Sequence, residues 1–252
     1  MQAKATFVIG SGKGGVGKST VAVNLAVALA ELGLSIGLLD ADIYGPSIPV
    51  MLGLRRLSPR IRYSETGQEV ILPFHKFGIK AISIGFFLEE ARSLMWRGPM
   101  LHGILQKMLA QVEWGDLDLL LIDLPPGTGD VPISLSQMLK ITGALVVTTP
   151  QEVAMLDAIK AINTFYQLEI PLLGIVENMA GFTIPGGETY HIFGEGKGQE
   201  LADKFHIPLL GSIPLLPEIR LGGDEGIPAA KYFQELAESI KELHENKCEA
   251  RS

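Results

Sequence analysis

A doubly wound α/β fold, with a mainly parallel sheet flanked by helices, is predicted by three observations. Short apolar, β-branched runs recur without alternating polar residues. These runs take turns along the chain with segments of helical periodicity. A glycine-rich stretch, GSGKGGVGKST (10–20), sits at the first junction between the two patterns. Continuous hydrophobicity is what a strand covered on both faces requires, and strand–helix alternation implies right-handed crossovers.

Taken in order, residues 6–9 (TFVI) form the first apolar run and end at Gly10. Residues 20–32 carry a helical pattern that Gly33 stops, since glycine accepts the left-handed turn that closes a helix. The run 35–39 leads into Asp40. Residues 60–72 (RIRYSETGQEVIL) break the alternation and read as a small hairpin insertion turning at Glu65, Thr66 and Gly67. Strand runs at 81–84, 117–122, 144–148, 172–176 and 209–213 then interleave with helical patterns at 100–112, 133–140, 153–168, 198–205 and 229–244.

A chain of 252 residues that is 47% hydrophobic suits one domain over 1–252, with the end 245–252 (ENKCEARS) expected to fray. No apolar stretch reaches membrane-spanning length, and no secretory leader is expected before the first strand. The single cysteine, Cys248, excludes an internal disulfide framework and suits a cytoplasmic setting. A net charge of -7 argues against broad attraction to nucleic acid or anionic lipid.

Gly12 to Ser19 matches G-x-x-x-x-G-K-S between a predicted strand and a predicted helix, the setting a phosphate loop needs. The candidate nucleotide-binding residues are Gly12, Lys13, Gly14, Gly15, Val16, Gly17, Lys18, Ser19 and Thr20. Backbone N–H groups and the helix N-terminus favour phosphate, Lys18 is placed for the β- and γ-phosphates of ATP, and the Ser19 hydroxyl for Mg²⁺. A glycine-rich turn that binds nothing would not require this coincidence of glycines, lysine and serine.

Two strands end in carboxylates at the edge where doubly wound sheets bind ligands. Asp42 is the candidate for orienting an attacking water and a metal-site residue. Asp40 is assigned to the loop or the magnesium shell, against turn formation as the plain alternative. Asp123 closes the run LDLLLID as a second carboxylate for Mg²⁺, and Gly127 in PPGTG is placed to bring its N–H to a γ-phosphate. For Asn178 the local sequence leaves an adenine-reading amide and an Asx-turn open.

The form K-G-G-V-G-K-S-T resembles the deviant phosphate loop of the class holding the nitrogenase iron protein, the partition and division-site ATPases and the Mrp-type iron–sulfur cluster carriers. DADIYGPSIPVMLGL (40–54), WRGPM (96–100), DLPPGTGDVPISLSQ (123–137), VENMAGF (176–182) and EIRLGGDEGIP (218–228) are similar to the Mrp family specifically. The resemblance implies a homodimeric ATPase in which Lys13 crosses the interface to the partner's phosphates, with Lys13, Lys18 and Asp42 as catalytic residues. It implies ATP and Mg²⁺ as ligands, with Ser19, Asp42 and Asp123 at the metal, and Asn178 at adenine. It also implies an iron–sulfur cluster and an apo-protein or cluster-donor partner. One departure stands against the cluster: the family's C-x-x-C positions fall near Ile184 and Gly187. Larger members often carry an additional N-terminal domain, and the resemblance here is expected to cover the ATPase core alone.

Two other functions compete. A spatial switch of the division-site type would use a basic amphipathic C-terminal helix, but the polar face of 229–244 is mixed in charge, and its stripe Tyr232, Phe233, Leu236, Ile240 and Leu243 suits core packing. Neither membrane nor nucleic acid is therefore an expected partner. A biosynthetic ligase would need a second-substrate constellation. Trp96, Arg97 and Met100 are the only candidates, and simple packing explains them. His75, His102, His206 and His244 lack ligand spacing.

Overall fold

The computed structural model describes residues 2–87, 98–184 and 186–249. Trp96 and Arg97 lie outside these residues, as does the side chain of Cys248.

Twelve strands occur among the described residues. They are β1 (Gln2–Gly10), β2 (Ile36–Asp40), β3 (Arg60–Tyr63), β4 (Glu69–Leu72), β5 (Phe74–Lys76) and β6 (Ile79–Ser83). There follow β7 (Asp116–Asp123), β8 (Gly143–Thr148), β9 (Leu172–Asn178), β10 (Phe182–Thr183), β11 (Thr189–Tyr190) and β12 (Leu209–Ile213). The helices are α1 (Lys18–Glu31), α2 (Ile48–Met51), α3 (Gly98–Ala110) and α4 (Asp130–Met138), then α5 (Glu152–Gln167), α6 (Lys197–Phe205), α7 (Pro217–Glu225) and α8 (Gln234–Glu249).

Eight strands form one sheet in the order β12-β9-β8-β1-β7-β2-β6-β5. Every pairing is parallel except β5 against β6. Strand alternation sends Phe7 and Ile9 to one apolar layer and Val8 to the other. On the first side α1 is apolar all round, because it lies between the sheet and α8. On the second, α3 packs on α4 and α5 on α6. Trp114 is fully buried in that second layer, its Nε1–H donating to the Met108 carbonyl at 3.1 Å. The doubly wound, mainly parallel architecture predicted from the apolar runs is the one observed.

The hairpin at 60–72 is present as β3 and β4, turning at Gly67 with φ 78. It continues through Pro73 into β5, an antiparallel edge strand that periodicity did not predict because it is only three residues long. The pattern at 229–244 divides into a 3₁₀ turn at Ala230–Phe233 and α8. Phe233, Leu236 and Ile240 are buried, with Tyr232 and Leu243 packed against the same layer, so that stripe is spent on the core. Residues 245–249, within the end expected to fray, belong to α8, and Lys247 Nζ donates to the Thr142 carbonyl at 2.7 Å. No helix among the described residues is long and apolar enough to cross a membrane.

Candidate nucleotide site

Because β1, β2 and β7 run parallel and in register, their C-terminal ends meet at one edge of the sheet. Ile9 and Asp40 both pair with Asp123 across the ladders. Strand order reverses around β1, and the glycine-rich loop fills the crevice that this reversal opens. The loop's conformation needs its glycines. Gly15 and Gly17 sit at φ 84 and 81, in left-handed backbone, and a Cβ on Gly12 would collide with the backbone carbonyl of Asp157 in α5. A groove of about 220 Å³ follows, lined by residues 13–20 together with Asp42 and Pro126.

Four polar side chains converge at the mouth of α1. Lys18 Nζ lies 2.7 Å from Asp123 Oδ1 and 3.5 Å from Asp42 Oδ2, with Lys18 6% and Asp123 0% exposed. The Ser19 hydroxyl donates to Asp123 Oδ2 at 2.5 Å. Two carboxylates and a hydroxyl form an oxygen donor set of the kind that takes Mg²⁺, with the Lys18 ammonium alongside for phosphate. Burial pushes the Asp123 carboxyl upward, and the Lys18 ammonium opposes that shift.

Asp40 is separate in role. Its carboxylate accepts from the Ser83 hydroxyl at 2.8 Å and from the Asp42 N–H at 3.1 Å, so it shapes the loop that carries Asp42. Burial raises its carboxyl to about 8; nearby Asp123 adds to the rise, and the two hydrogen bonds oppose it. Asp42 in turn accepts from the N–H groups of Tyr44 and Gly45, which fixes its direction.

The remaining sequence candidates arrange themselves around this centre. Lys13 does not join it; its Nζ donates to Gln151 Oε1 at 3.3 Å, at the N-cap of α5. The Gly127 N–H donates to the Ser11 carbonyl at 2.8 Å, which ties the PPGTG loop to the glycine loop. Asn178 makes no Asx-turn bond. Its Nδ2 donates to the Val16 carbonyl at 2.8 Å and braces the loop from the end of β9. Thr20 accepts from Asn24 through its carbonyl. Sequence reading missed Ser11, Ser83 and Gln151. Each is a common polar residue in a turn or at a strand end, and only the tertiary contact shows its partner.

Ile184 and Gly187, where the resemblance would put a cysteine pair, lie in the turn between β10 and β11, where the Gly187 N–H donates to the Ile184 carbonyl at 3.1 Å. Around it Tyr190 donates to Glu188 at 3.0 Å, and His191 contacts Glu195 at 3.2 Å. Among the described residues no group of three or more His, Cys, Asp or Glu gathers to hold a metal ion. A [4Fe–4S] cluster held by thiolates takes four, and two copies of this chain bring two. The residues present do not fit a cluster held between two copies.

A protein named iron-sulfur cluster carrier protein from Aquifex aeolicus is 48% identical over 255 residues, 97% of this chain and 69% of that one. Another of that name, from Synechocystis, is 49% identical over 229 residues, 90% of this chain and 65% of that one. The chain therefore spans about two-thirds of the length of these relatives. The solved structure of a nucleotide-binding protein in complex with ADP from Archaeoglobus fulgidus aligns with a TM-score of 0.76 at 42% identity, covering 89% of this chain and 87% of that one. The family model described as ParA, NUBPL iron-transfer P-loop NTPase, matches residues 2–247. With that match running nearly end to end and the phosphate loop seated at the sheet's switch point, the chain belongs to the NUBPL iron-transfer P-loop NTPase family.

Proposed function

We propose that the chain is an ATP-hydrolysing homodimeric switch that serves the delivery of iron–sulfur clusters to partner proteins in the cytoplasm. The observation that carries the reading is the convergence of Lys18, Ser19, Asp42 and Asp123 on the glycine loop. Mg–ATP supplies the transferable γ-phosphoryl group and the divalent charge that such a donor set suits. Lys18 exchanges its carboxylate partners for phosphate oxygens, releasing Asp123 and Ser19 as oxygen ligands. Asp42, held by two backbone N–H groups, orients the attacking water. Lys13 leaves Gln151 and reaches into the partner's site, where a second cation stabilises the phosphoryl oxygens only when two copies close. Gly127 trades its Ser11 contact for the γ-phosphate, and Asn178 reads adenine with the part of its amide not spent on Val16.

The names of the relatives support iron–sulfur cluster delivery as the output. The cluster is cargo, and with Ile184 and Gly187 at the usual cysteine positions its ligands come from the partner protein. Anaerobic purification with iron counting and visible spectra tests this. Apo protein at stoichiometric iron, together with ATP-dependent dimerisation in sedimentation and steady phosphate release, is the expected result. A stable intrinsic cluster, or full-rate hydrolysis by a monomer, refutes it.

A further inference from the structure

We propose that the groove between the β3–β4 hairpin and the open edge of the sheet docks an extended acidic segment of a protein partner, with apolar side chains set between its carboxylates. Charge is segregated on this chain. Within residues 55–80 the basic side chains Arg55, Arg56, Arg60, Arg62, Lys76 and Lys80 outnumber the acidic Glu65 and Glu69, in a protein of net charge -7. A cavity of about 730 Å³ lies there, and a second of about 470 Å³, walled by the segment 46–58 with Gly85 and Phe86, shares Leu57 and Ser58 with it. Arg60 lines the first, and Arg55 and Arg56 the second.

Arg62 is tied to Glu113 at 2.7 Å and Lys80 to the Trp114 carbonyl at 2.5 Å, but Arg55, Arg56 and Arg60 are exposed and make no side-chain hydrogen bond or ion pair among the described residues. Arg56 also holds left-handed backbone at φ 63, which disfavours a side chain of its kind. Unpaired guanidiniums at a concave surface suit carboxylates, which they grip with two parallel hydrogen bonds.

The rest of the groove selects a peptide over other polyanions. Leu72, Pro73 and Phe74 give it an apolar wall, and Leu57 is 49% exposed above it. β5 ends the sheet, so its outer backbone edge pairs with no described strand and can accept an added one. A nucleic acid backbone brings no apolar side chains for that wall.

The groove also borders the nucleotide site. Pro46, Pro49 and Val50 wall the second cavity, while Gly45, Ser47 and Met51 from the same segment line the phosphate groove. A partner seated here lies against the loop that follows Asp42. The inference extends the delivery reading by naming where the partner docks. Its readout is peptide binding, so its failure is distinct from a failure of the iron or ATP measurements.

The test is fluorescence anisotropy with a labelled peptide of about ten residues that alternates glutamate with valine and phenylalanine. The same peptide with glutamine for glutamate and a labelled single-stranded oligodeoxynucleotide serve as comparisons. We expect the acidic peptide to bind about tenfold more tightly than the glutamine peptide and to weaken as NaCl rises from ~50 to ~500 mM. The triple variant Arg55→Glu, Arg56→Glu, Arg60→Glu should lose about tenfold in peptide affinity with ATP affinity unchanged. The single variants Arg55→Glu and Arg60→Glu guard against misfolding of the triple, and each should weaken binding by itself. Equal binding of the glutamine peptide, equal or tighter binding of the oligonucleotide, or unchanged affinity in both single variants overturns the proposal.

Discussion

Lys18→Met removes a buried cation and keeps an unbranched apolar stem, so the site loses charge without a large cavity opening. The ammonium is 2.7 Å from Asp123 and 3.5 Å from Asp42, and both carboxylates are buried. At 2.7 Å and an effective dielectric near 20, the gross attraction to Asp123 is about 6 kcal/mol. Breaking such a pair from one side costs about 3–5 kcal/mol, because the remaining carboxylate stays buried and uncompensated. In a chain of this size each kcal/mol moves Tm by about 2–4 °C, so a fall of roughly 10 °C is expected without nucleotide. Burial already raises the Asp123 carboxyl, so the variant sheds part of this cost by protonation, and the loss should shrink as pH falls. Adding Asp123→Asn should recover most of the fall, since an amide needs no counter-charge. A double-mutant cycle should return a coupling of at least ~2 kcal/mol. Phosphate release under saturating Mg–ATP should drop by about a thousandfold or more. Calorimetry of the apo protein and a coupled phosphate assay provide both readouts. A Tm within about 2 °C of the parent, with turnover within about tenfold, would refute the assignment of Lys18 to both roles.

Three further outcomes are expected. Gly12→Ala places a Cβ against the Asp157 carbonyl, so the loop must move off α5. A loss of about 1–3 kcal/mol in urea unfolding and loss of ATP binding by fluorescence titration should follow. Lys13→Ala removes only a contact to a neutral amide and should leave Tm within about 2 °C of the parent, while ATP-dependent dimerisation in sedimentation fails. Mixing it with Asp42→Ala should partly restore turnover, and absence of rescue in verified mixed dimers would make Lys13 a local residue. Burial holds the His244 imidazole below its ordinary 6.5, so folding favours the neutral ring. That residue's contribution is constant above the unfolded value and declines as pH falls through 6.5 towards the folded one. His244→Gln should flatten the difference in Tm between about pH 7.5 and pH 5.5.

Much of the site was legible because its chemistry demands particular residues at a particular junction. Gly15 and Gly17 occupy backbone that side chains avoid, Lys18 and Ser19 must open the helix, and Asp123 must close a strand parallel to β1. The buried strands were legible for a similar reason, since two covered faces leave no room for alternation. β5 escaped notice at three residues, and α7 did so because Gly222 and Gly223 interrupt any helical periodicity. The roles of Asp40 and Asp42 were separable only through Ser83, whose hydroxyl arrives from β6 on the neighbouring strand.

The amino-acid sequence alone determined the fold class, the phosphate loop and the carboxylates opposite it, because each depends on residue type at a local position. Tertiary structure alone decided that Lys13 rests on Gln151, that Asn178 braces the loop, and that arginines without an ion pair among the described residues line cavities beside the sheet edge. Those facts depend on which distant segments meet. Chain order does not encode that directly; the strand order and the packing of two helical layers do.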